Sequence, residues 1–545
     1  MRVLVSGSQM KEIDRYTIQE IGIPSMVLME RAAMAVAAQV ELRCTRADRI
    51  WAVCGTGNNG ADGIAAARML YLKGYRVSVL LCGDGNRGTP EYQQQLEIAK
   101  ALEVPVMEYQ DFIPGSCDVI IDGIFGVGLG RAIEGEYREV IEMLESRHAR
   151  EVIAVDIPSG VHSDTGQIMG IVLKATATVT FGYEKLGTVL YPGRACCGEV
   201  IIADIGFPWI SYEKSLLSSR EMMYRGIRFF TYDTEDAARR PKRPADANKG
   251  TFGKVLVVAG SKNMSGAAYL SALSAYRMGA GLVKILTVEE NREILQTQLP
   301  EAILETYKPP VMQEGAPVSL EYEDFSREPE TLDAPGVPDL QHPAGTQSGF
   351  DRLDAQIAAA CDLAGVIVLG PGLGREPYVE QLVKSVLTHA YVPIVIDADG
   401  LNAIADHPEL TQYYTENIII TPHVGEMARL TGLTIAKIKE NPIDTALDYS
   451  SRHGITCVLK DAVTVAAGRE GQVYLNTSGT SAMAKAGSGD VLTGAIAGLL
   501  AQGEDNWEAA ILGVYLHGAA GDRCLERFGP HGLLAGDITN ELGVI

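Results

Sequence analysis

The residues Ala486-Gly487-Ser488-Gly489-Asp490 run directly into the apolar stretch Val491 to Leu500. Gly-x-Gly-Asp at a helix start is suited to anion chemistry. Small residues let several backbone N–H groups converge on one point, and the helix dipole adds positive potential there. A terminal phosphate fits such a nest. Asp490 then sets a carboxylate beside the phosphate, within reach of the proton on an attacking hydroxyl. Read alone, the stretch could equally be a glycine-rich helix cap.

Similar clusters recur where short apolar runs end. In the second half of the chain Ala259-Gly260-Ser261 follows Val255 to Val258, and Gly370-Pro371-Gly372-Leu373-Gly374 follows Val366 to Leu369. Asp397-Ala398-Asp399-Gly400 follows Ile394 to Ile396, and Thr421-Pro422-His423-Val424-Gly425-Glu426 follows Ile418 to Ile420. Lys460-Asp461-Ala462-Val463-Thr464 follows Thr456 to Leu459. In open α/β sheets, ligands bind outside the carboxyl ends of the strands. Each cluster alone reads as a turn; their joint placement on one edge predicts a site.

The first half repeats the pattern. Gly55-Thr56-Gly57-Asn58-Asn59-Gly60-Ala61-Asp62-Gly63 follows Ile50 to Cys54 and opens a helical stretch. Asp122-Gly123-Ile124-Phe125-Gly126-Val127-Gly128-Leu129-Gly130-Arg131, with Ala132 next, and Asp156-Ile157-Pro158-Ser159-Gly160 also follow strand candidates. Gly55 to Gly60 matches G-x-G-x-x-G, which also wants an acid about 20 residues on. Asp84 is the nearest candidate, but it lies in the turn-like Gly83-Asp84-Gly85-Asn86. Asp156 is the candidate acid/base of this half, with a strand-end cap as the plain alternative.

Elements that would hold these clusters follow from the hydrophobic periodicity. Helical patterns cover Gln9 to Glu20 and Ser25 to Cys44. Apolar runs then alternate with helical stretches at Ile50 to Cys54, Arg76 to Cys82, Asp118 to Ile121 and Glu151 to Val155. The same alternation resumes at Val255 and includes Leu282 to Leu286, with helical patterns such as Gly266 to Met278 and Trp507 to Phe528. Such alternation predicts two α/β blocks on mainly parallel sheets. Domains are expected at 1–215 and 246–545. The linker between them, 216–245, ends in the basic run Arg239-Arg240-Pro241-Lys242-Arg243, read as solvated. A Pro-, Glu- and Gly-rich segment, about 307–350, is expected to be a surface insertion.

Composition narrows the function classes. At 545 residues, 46% hydrophobic and with 58 glycines, the chain is long enough for two or three cores. A net charge of −22 argues against nucleic acid or an anionic membrane as partner. Small molecules bound through backbone dipoles remain compatible with it. The nine scattered cysteines suit a reducing compartment. Met1 to Met10 has no signal-peptide-like apolar run, and no run approaches the roughly 18 residues of a membrane span. A cytoplasmic protein is expected.

In combination, Gly487-Ser488-Gly489-Asp490 with its helix, Lys460 to Thr464 and Gly370 to Gly374 resemble the ADP-dependent NAD(P)H-hydrate dehydratases of the ribokinase-like superfamily. The resemblance spans about residues 240–545. It implies that NADH or NADPH hydrated at C6 of the nicotinamide ring is dehydrated at the cost of a nucleotide. It also implies ADP contacts at Lys460, Asp461, Ala462, Val463, Thr464, Thr480, Ala486, Gly487, Ser488 and Gly489. Ala267, Gly372, His423 and Asp490 would face the substrate, with Asp490 as base. ADP is the implied co-substrate, with ATP as the alternative, and Mg²⁺ would accompany it. Many kinases of the superfamily have Pro-Asn-x-x-Glu where this chain has Pro422-His423-Val424-Gly425-Glu426, which favours the dehydratase.

The clusters of the first half resemble the NAD(P)H-hydrate epimerases over about residues 1–215, including Leu28-Met29-Glu30-Arg31. That resemblance implies a Rossmann-like three-layer α/β fold and interconversion of R and S hydrates. It assigns K⁺ to Asn59, Asp122 and Ser159, an oxygen donor set suited to a hard cation. It assigns substrate contacts to Asn58, Asn59, Gly60, Ala61, Asp62, Gly126, Val127, Gly128, Leu129, Gly130, Arg131, Ala132 and Asp156. A homo-oligomer is expected. Three rivals stay open at this point: a ribokinase-like small-metabolite kinase with a non-catalytic dinucleotide-binding domain, a dinucleotide-sensing scaffold, and an NAD-dependent dehydrogenase.

Overall fold

In a computed structural model the described residues are 1–111, 115–217, 224, 226–310 and 344–545. They form two compact units. The first comprises Met1–Ala238, Leu433–Arg452 and Leu459–Thr477; the second comprises Arg239–Gly432, His453–Val458 and Ser478–Ile545.

The first unit is built on a seven-stranded parallel sheet. Its strands are β1 (Arg49–Cys54), β2 (Arg76–Leu81), β3 (Val106–Glu108), β4 (Val119–Gly123), β5 (Glu151–Val155), β6 (Ala177–Phe181) and β7 (Glu199–Ala203). They run in the order β3-β2-β1-β4-β5-β6-β7. Alternate residues of β1 feed opposite cores, as a two-residue period demands. Ile50, Ala52 and Cys54 pack with Leu28, Ala32 and Val36 of α2 (Ser25–Arg43) and with Ala65 and Leu70 of α3 (Asn58–Leu72). Trp51 and Val53 pack on the other face with Val140, Ile141 and Leu144. Helices on both faces make the three-layer sandwich. Before α2 comes α1 (Gly7–Tyr16), which Ser6 and Gln9 start with a reciprocal capping box.

Around this sheet the first unit carries a second, smaller set of strands. Arg2–Val5 pairs antiparallel with Arg228–Thr231 and parallel with Glu184–Lys185. Arg228–Thr231 also pairs parallel with Gln472–Leu475. The stretch expected as a linker therefore holds a ladder strand; residues 218–223 and 225 of it lie outside the described residues. Its basic run is engaged as well. The guanidinium of Arg240 donates to the carbonyls of Leu542 (3.1 Å) and Ile545 (2.7 Å). That of Arg243 donates to Gly279 O and covers the Phe252 ring. Charged donors satisfying carbonyls at helix ends explain why these arginines are not simply solvated.

The second unit repeats the same winding. Strands β8 (Lys254–Val258), β9 (Leu282–Val288), β10 (Ile303–Tyr307), β11 (Val366–Leu369), β12 (Ile394–Ile396), β13 (Ile418–Ile420) and β14 (Thr456–Leu459) are parallel, in the order β10-β9-β8-β11-β12-β13-β14. Val255 to Val258 of β8 and all of β11, β12 and β13 are continuous Val/Ile/Leu runs, as parallel strands buried on both faces read. The expected surface insertion falls mostly on 311–343, outside the described residues. Among the described residues no helix is long and apolar enough to cross a membrane.

Candidate functional site

Both sheets reverse direction of winding beside their first strand, between β1 and β4 and between β8 and β11. A crevice opens at such a switch point because the loops after the two strands turn to opposite sides. In both units, glycine-rich clusters fill those two loops.

In the first unit the crevice is a cavity of about 520 Å³. Asn58, Asn59, Asp62, Gly126, Val127, Gly128, Leu129 and Asp156 line it. Gly60 and Ala61 lie in the same helix start, while Gly130, Arg131 and Ala132 continue the β4 loop beyond the lining. Gly60 is required by close approach: a Cβ there would stand 1.7 Å from the carbonyl oxygen of Gly55. A loop folded that tightly delivers the start of α3, and with it Asn58 to Asp62, to the cavity wall.

Asp156 sits just past β5 with φ of +68°, a conformation that costs a non-glycine residue of the order of 1–3 kcal/mol and concentrates at functional sites. One oxygen, Oδ1, accepts from Thr180 Oγ1 (3.2 Å), from Phe181 N (3.2 Å) and from the ammonium of Lys185. Around the same cavity stand Asp14 of α1 and Asp62 of α3. Burial, then the charges of Asp156 and Asp14, pushes the Asp62 carboxyl well above the usual carboxylate range. Burial, then Glu91 and Asp156, raises Asp14. The site thus brings three carboxyls, Asp14, Asp62 and Asp156, to one cavity wall, and burial raises the first two. Lys185 and Asp14 are absent from the sequence expectations. No local sequence pattern marks Lys185; its burial within the run Glu184 to Leu190 does, since an unpaired ammonium is seldom buried.

Behind the cavity, Asp122 at the end of β4 is fully buried. Its Oδ1 accepts from Ser159 Oγ (2.5 Å) and Ile124 N (3.3 Å), and its Oδ2 from Ser159 N (2.8 Å). Among the described residues no cationic side chain pairs with it, and burial pushes its carboxyl up to about 6. Asn59 Nδ2 is buried without a partner, and a Cβ at Gly126 would meet Asn59 Oδ1 at 2.9 Å. The oxygens that Asp122, Ser159 and Asn59 offer are of the type a hard monovalent cation takes.

In the second unit, α6 (Ser488–Ala501) starts at Gly487, whose φ of +93° is left-handed and open to glycine without strain. Gly487 to Asp490 are half-buried and Ala486 is exposed, so the bend is accessible to a ligand. Asp490 lies in the first turn, where its carbonyl accepts from Ser271 Oγ (3.1 Å) of α4 (Ser265–Met278). Thr493 ties the same turn to the buried Asp397 (2.9 Å) at the end of β12. Gly372, in the β11 loop, abuts Ala267 of α4, so these two expected substrate contacts meet. Thr480 caps the short turn Ser481–Met483 through Ala482 N. Lys460, Asp461, Ala462, Val463 and Thr464 form the half-exposed loop after β14, on the first unit.

His423 has a defined structural task. Its Nδ1 accepts from Gly425 N (2.9 Å) and Glu426 N (3.3 Å), and Glu426 returns a bond from His423 N (2.8 Å), capping α5 (Val424–Thr431). The ring is more than half exposed, so capping leaves one edge open to solvent.

Two doubly wound α/β units, each with glycine-rich loops at its switch point and the first with a cavity between those loops, define an enzyme class built for nucleotide-like ligands. The sequence comparisons agree. The profile described as NAD(P)H-hydrate dehydratase matches residues 255–327 and 338–543, and that of the YjeF-related protein N-terminus matches residues 25–187. The chain is 37% identical to the bifunctional NAD(P)H-hydrate repair enzyme Nnr of Moorella thermoacetica, over 99% of this chain and 96% of that protein. It is 31% identical to the enzyme of the same name from Escherichia coli, over 97% and 91%. A solved ADP/ATP-dependent NAD(P)H-hydrate dehydratase from Bacillus subtilis, co-crystallised with ATP and Mg²⁺, is 29% identical; the match covers 57% of this chain and 95% of that one, with a TM-score of 0.44. The chain belongs to the family of bifunctional NAD(P)H-hydrate repair enzymes.

Proposed function

We propose that the two halves act in sequence on NADH and NADPH hydrated at C6 of the nicotinamide ring. The N-terminal half interconverts the R and S hydrates. The C-terminal half dehydrates the S hydrate back to NAD(P)H, using ADP. The observation that carries this reading is two sets of glycine-rich switch-point loops in one chain, one bounding a cavity lined by Asp14, Asp62 and Asp156 and the other an accessible glycine bend that leads into Asp490.

In the first cleft the C6 hydroxyl of a hydrate leaves as water when a carboxyl gives it a proton, and the ring nitrogen lone pair supports the cation left behind. Asp62, whose carboxyl burial pushes well above the usual carboxylate range, is the donor. Water then adds to the other face of C6 and gives its proton to Asp156. The loops 58–62 and 126–132 hold the dinucleotide. Asn59, Asp122 and Ser159 would hold K⁺, which would supply positive charge beside the buried carboxylate of Asp122.

In the second cleft the backbone N–H groups of Gly487 to Gly489 receive the ADP phosphate and stabilise charge on the moving phosphoryl group. Asp490 takes the proton from the C6 hydroxyl as its oxygen attacks phosphorus. AMP leaves. Phosphate then departs from C6 with the hydroxyl oxygen, C5 loses a proton and the dihydropyridine ring is restored. Ala267 and Gly372 lie against the substrate, and Mg²⁺ serves as counter-ion to the nucleotide. A cytoplasmic location accords with nine cysteines that are all unpaired. A homo-oligomer accords with Val27, Met34 and Leu42, exposed along one stripe of α2.

Recovery of absorbance at 340 nm from a mixed R and S hydrate pool tests the whole reading. Full recovery is expected with ADP and none without it. Recovery that stopped at the S fraction would remove the epimerase assignment, and phosphorylation of a vitamin or sugar in its place would favour the kinase.

The cation can be tested separately. The ionised Asp122 is disfavoured in the fold, so a K⁺-free protein loses stability as pH rises from the ordinary carboxylate value to about 6. K⁺ binds the ionised form and restores that loss. Thermal unfolding should therefore show stabilisation by KCl over choline chloride at pH 8 and little at pH 5. Equal effects at both would exclude Asp122 as ligand.

A further inference from the structure

The least expected group in the epimerase cavity is the ammonium of Lys185. Its side chain is wholly inaccessible to solvent. An ammonium has three donors, and all three are used: one to Asp156 Oδ1, one to Thr180 Oγ1 (3.0 Å) and one to the carbonyl of Phe181 (3.0 Å). Lys185 therefore has no N–H left for a substrate. Its acceptors come from the end of β6 and from Asp156, so it clamps the two strand ends that flank this side of the cavity.

The clamp makes the two oxygens of Asp156 unequal. Oδ1 receives Lys185, Thr180 and Phe181; among the described residues Oδ2 takes no hydrogen bond. Asp156 also lines the cavity, and its left-handed backbone is the kind of strain that a surrounding network must hold in place. A carboxylate fixed through one oxygen offers the other in a single direction.

We propose that Lys185 is the positioning residue of the epimerase half, saturating Asp156 Oδ1 so that Oδ2 alone works on the proton of the water at C6. It acts through Asp156 and does not touch substrate. The proposal rests on the reading of Asp156 as base, and adds to it the group that aims that base and keeps it charged.

The charges facing Asp156 across the cavity are Lys11 and Asp14 from α1, Asp62 from α3 and Glu91. Three of these four are carboxyls that oppose ionisation of Asp156, and Lys11 is exposed on α1. Removing Lys185 thus takes away the cation bonded to Asp156 Oδ1 and leaves these carboxyls facing it.

The test is made on the full-length protein, with dehydration of S hydrate by the second unit as the control for an intact chain. Lys185→Met should lower kcat of R-to-S interconversion by about 100-fold, within the range for a general base, and change KM less than threefold. The acid limb of kcat/KM should move to higher pH. Unchanged kcat and an unmoved acid limb would overturn the proposal. If Lys185→Met alone does not fold, Asp156→Asn with Lys185→Met removes both buried charges, which proteins tolerate better than one left unpaired. The double variant should epimerise at the same residual rate as Asp156→Asn, because a residue acting only through Asp156 has nothing further to lose. A further loss multiplying onto the first would refute it. Full epimerase activity in Asp156→Asn would instead sink the base assignment itself.

Discussion

Asp490→Asn should abolish ADP-dependent recovery of NAD(P)H from the S hydrate. The loss expected for removing a general base is about 10²–10⁴-fold in kcat. The substitution is nearly isosteric and sits in the first turn of α6, where Ser271 Oγ holds the Asp490 carbonyl and Thr493 Oγ1 ties the same turn to Asp397. The nest of N–H groups at Gly487 to Gly489 is untouched, so ADP should still bind, and removing a negative charge beside its phosphate should not weaken it. Epimerisation in the first unit should be unaffected. Titration calorimetry with ADP, the 340 nm assay on S hydrate and R-to-S exchange separate the three. An Asp490→Asn protein that still dehydrates at near wild-type rate would leave the nest as a mere phosphate cradle and remove the base.

Much of this architecture is legible from one rule, that glycine and carboxylate clusters follow the strands of a parallel sheet at their carboxyl ends. The clusters after Cys54, Leu369, Ile396 and Ile420 all lie where that rule puts them, because burying both faces of a parallel strand forces an uninterrupted apolar run with an abrupt polar end. Gly60 and Gly487 are equally readable, one through close approach and the other through a left-handed turn. What local patterns do not carry is pairing over long sequence separation. Arg228–Thr231 reads as linker because its partners, Arg2–Val5 and Gln472–Leu475, lie more than 200 residues away on either side. Arg240 and Arg243 read as solvated because their acceptors are carbonyls, which any residue type supplies. Lys185 belongs to the same class. Its meaning depends on Asp156, 29 residues earlier in the chain, and on the turn after β6 that returns it to the sheet edge. His423 shows a further limit: sequence offers a ligand or a structural histidine, and only the hydrogen bonds to Gly425 and Glu426 reveal the helix cap.

The second large effect is expected at Asp156. Asp156→Asn keeps an acceptor at Oδ1 for Thr180 and Phe181, but it can no longer take a proton, and it leaves the buried Lys185 ammonium without its anion. Interconversion of R and S hydrates should fall by about 10²–10⁴-fold, while dehydration of pure S hydrate proceeds at the normal rate. The consequence in a mixed pool is a change of kinetic shape. Wild-type protein with ADP should carry absorbance at 340 nm to completion in one course. The variant should recover the S fraction at full speed and then slow to the uncatalysed rate of interconversion, so the break point reads the S content of the pool directly. Adding separately purified Asp490→Asn protein should remove the break, because it supplies epimerase and no dehydratase. A monophasic course in the Asp156→Asn protein would mean that this carboxylate is not the base, and the carboxyls of the cavity would then have to be reassigned, beginning with Asp14.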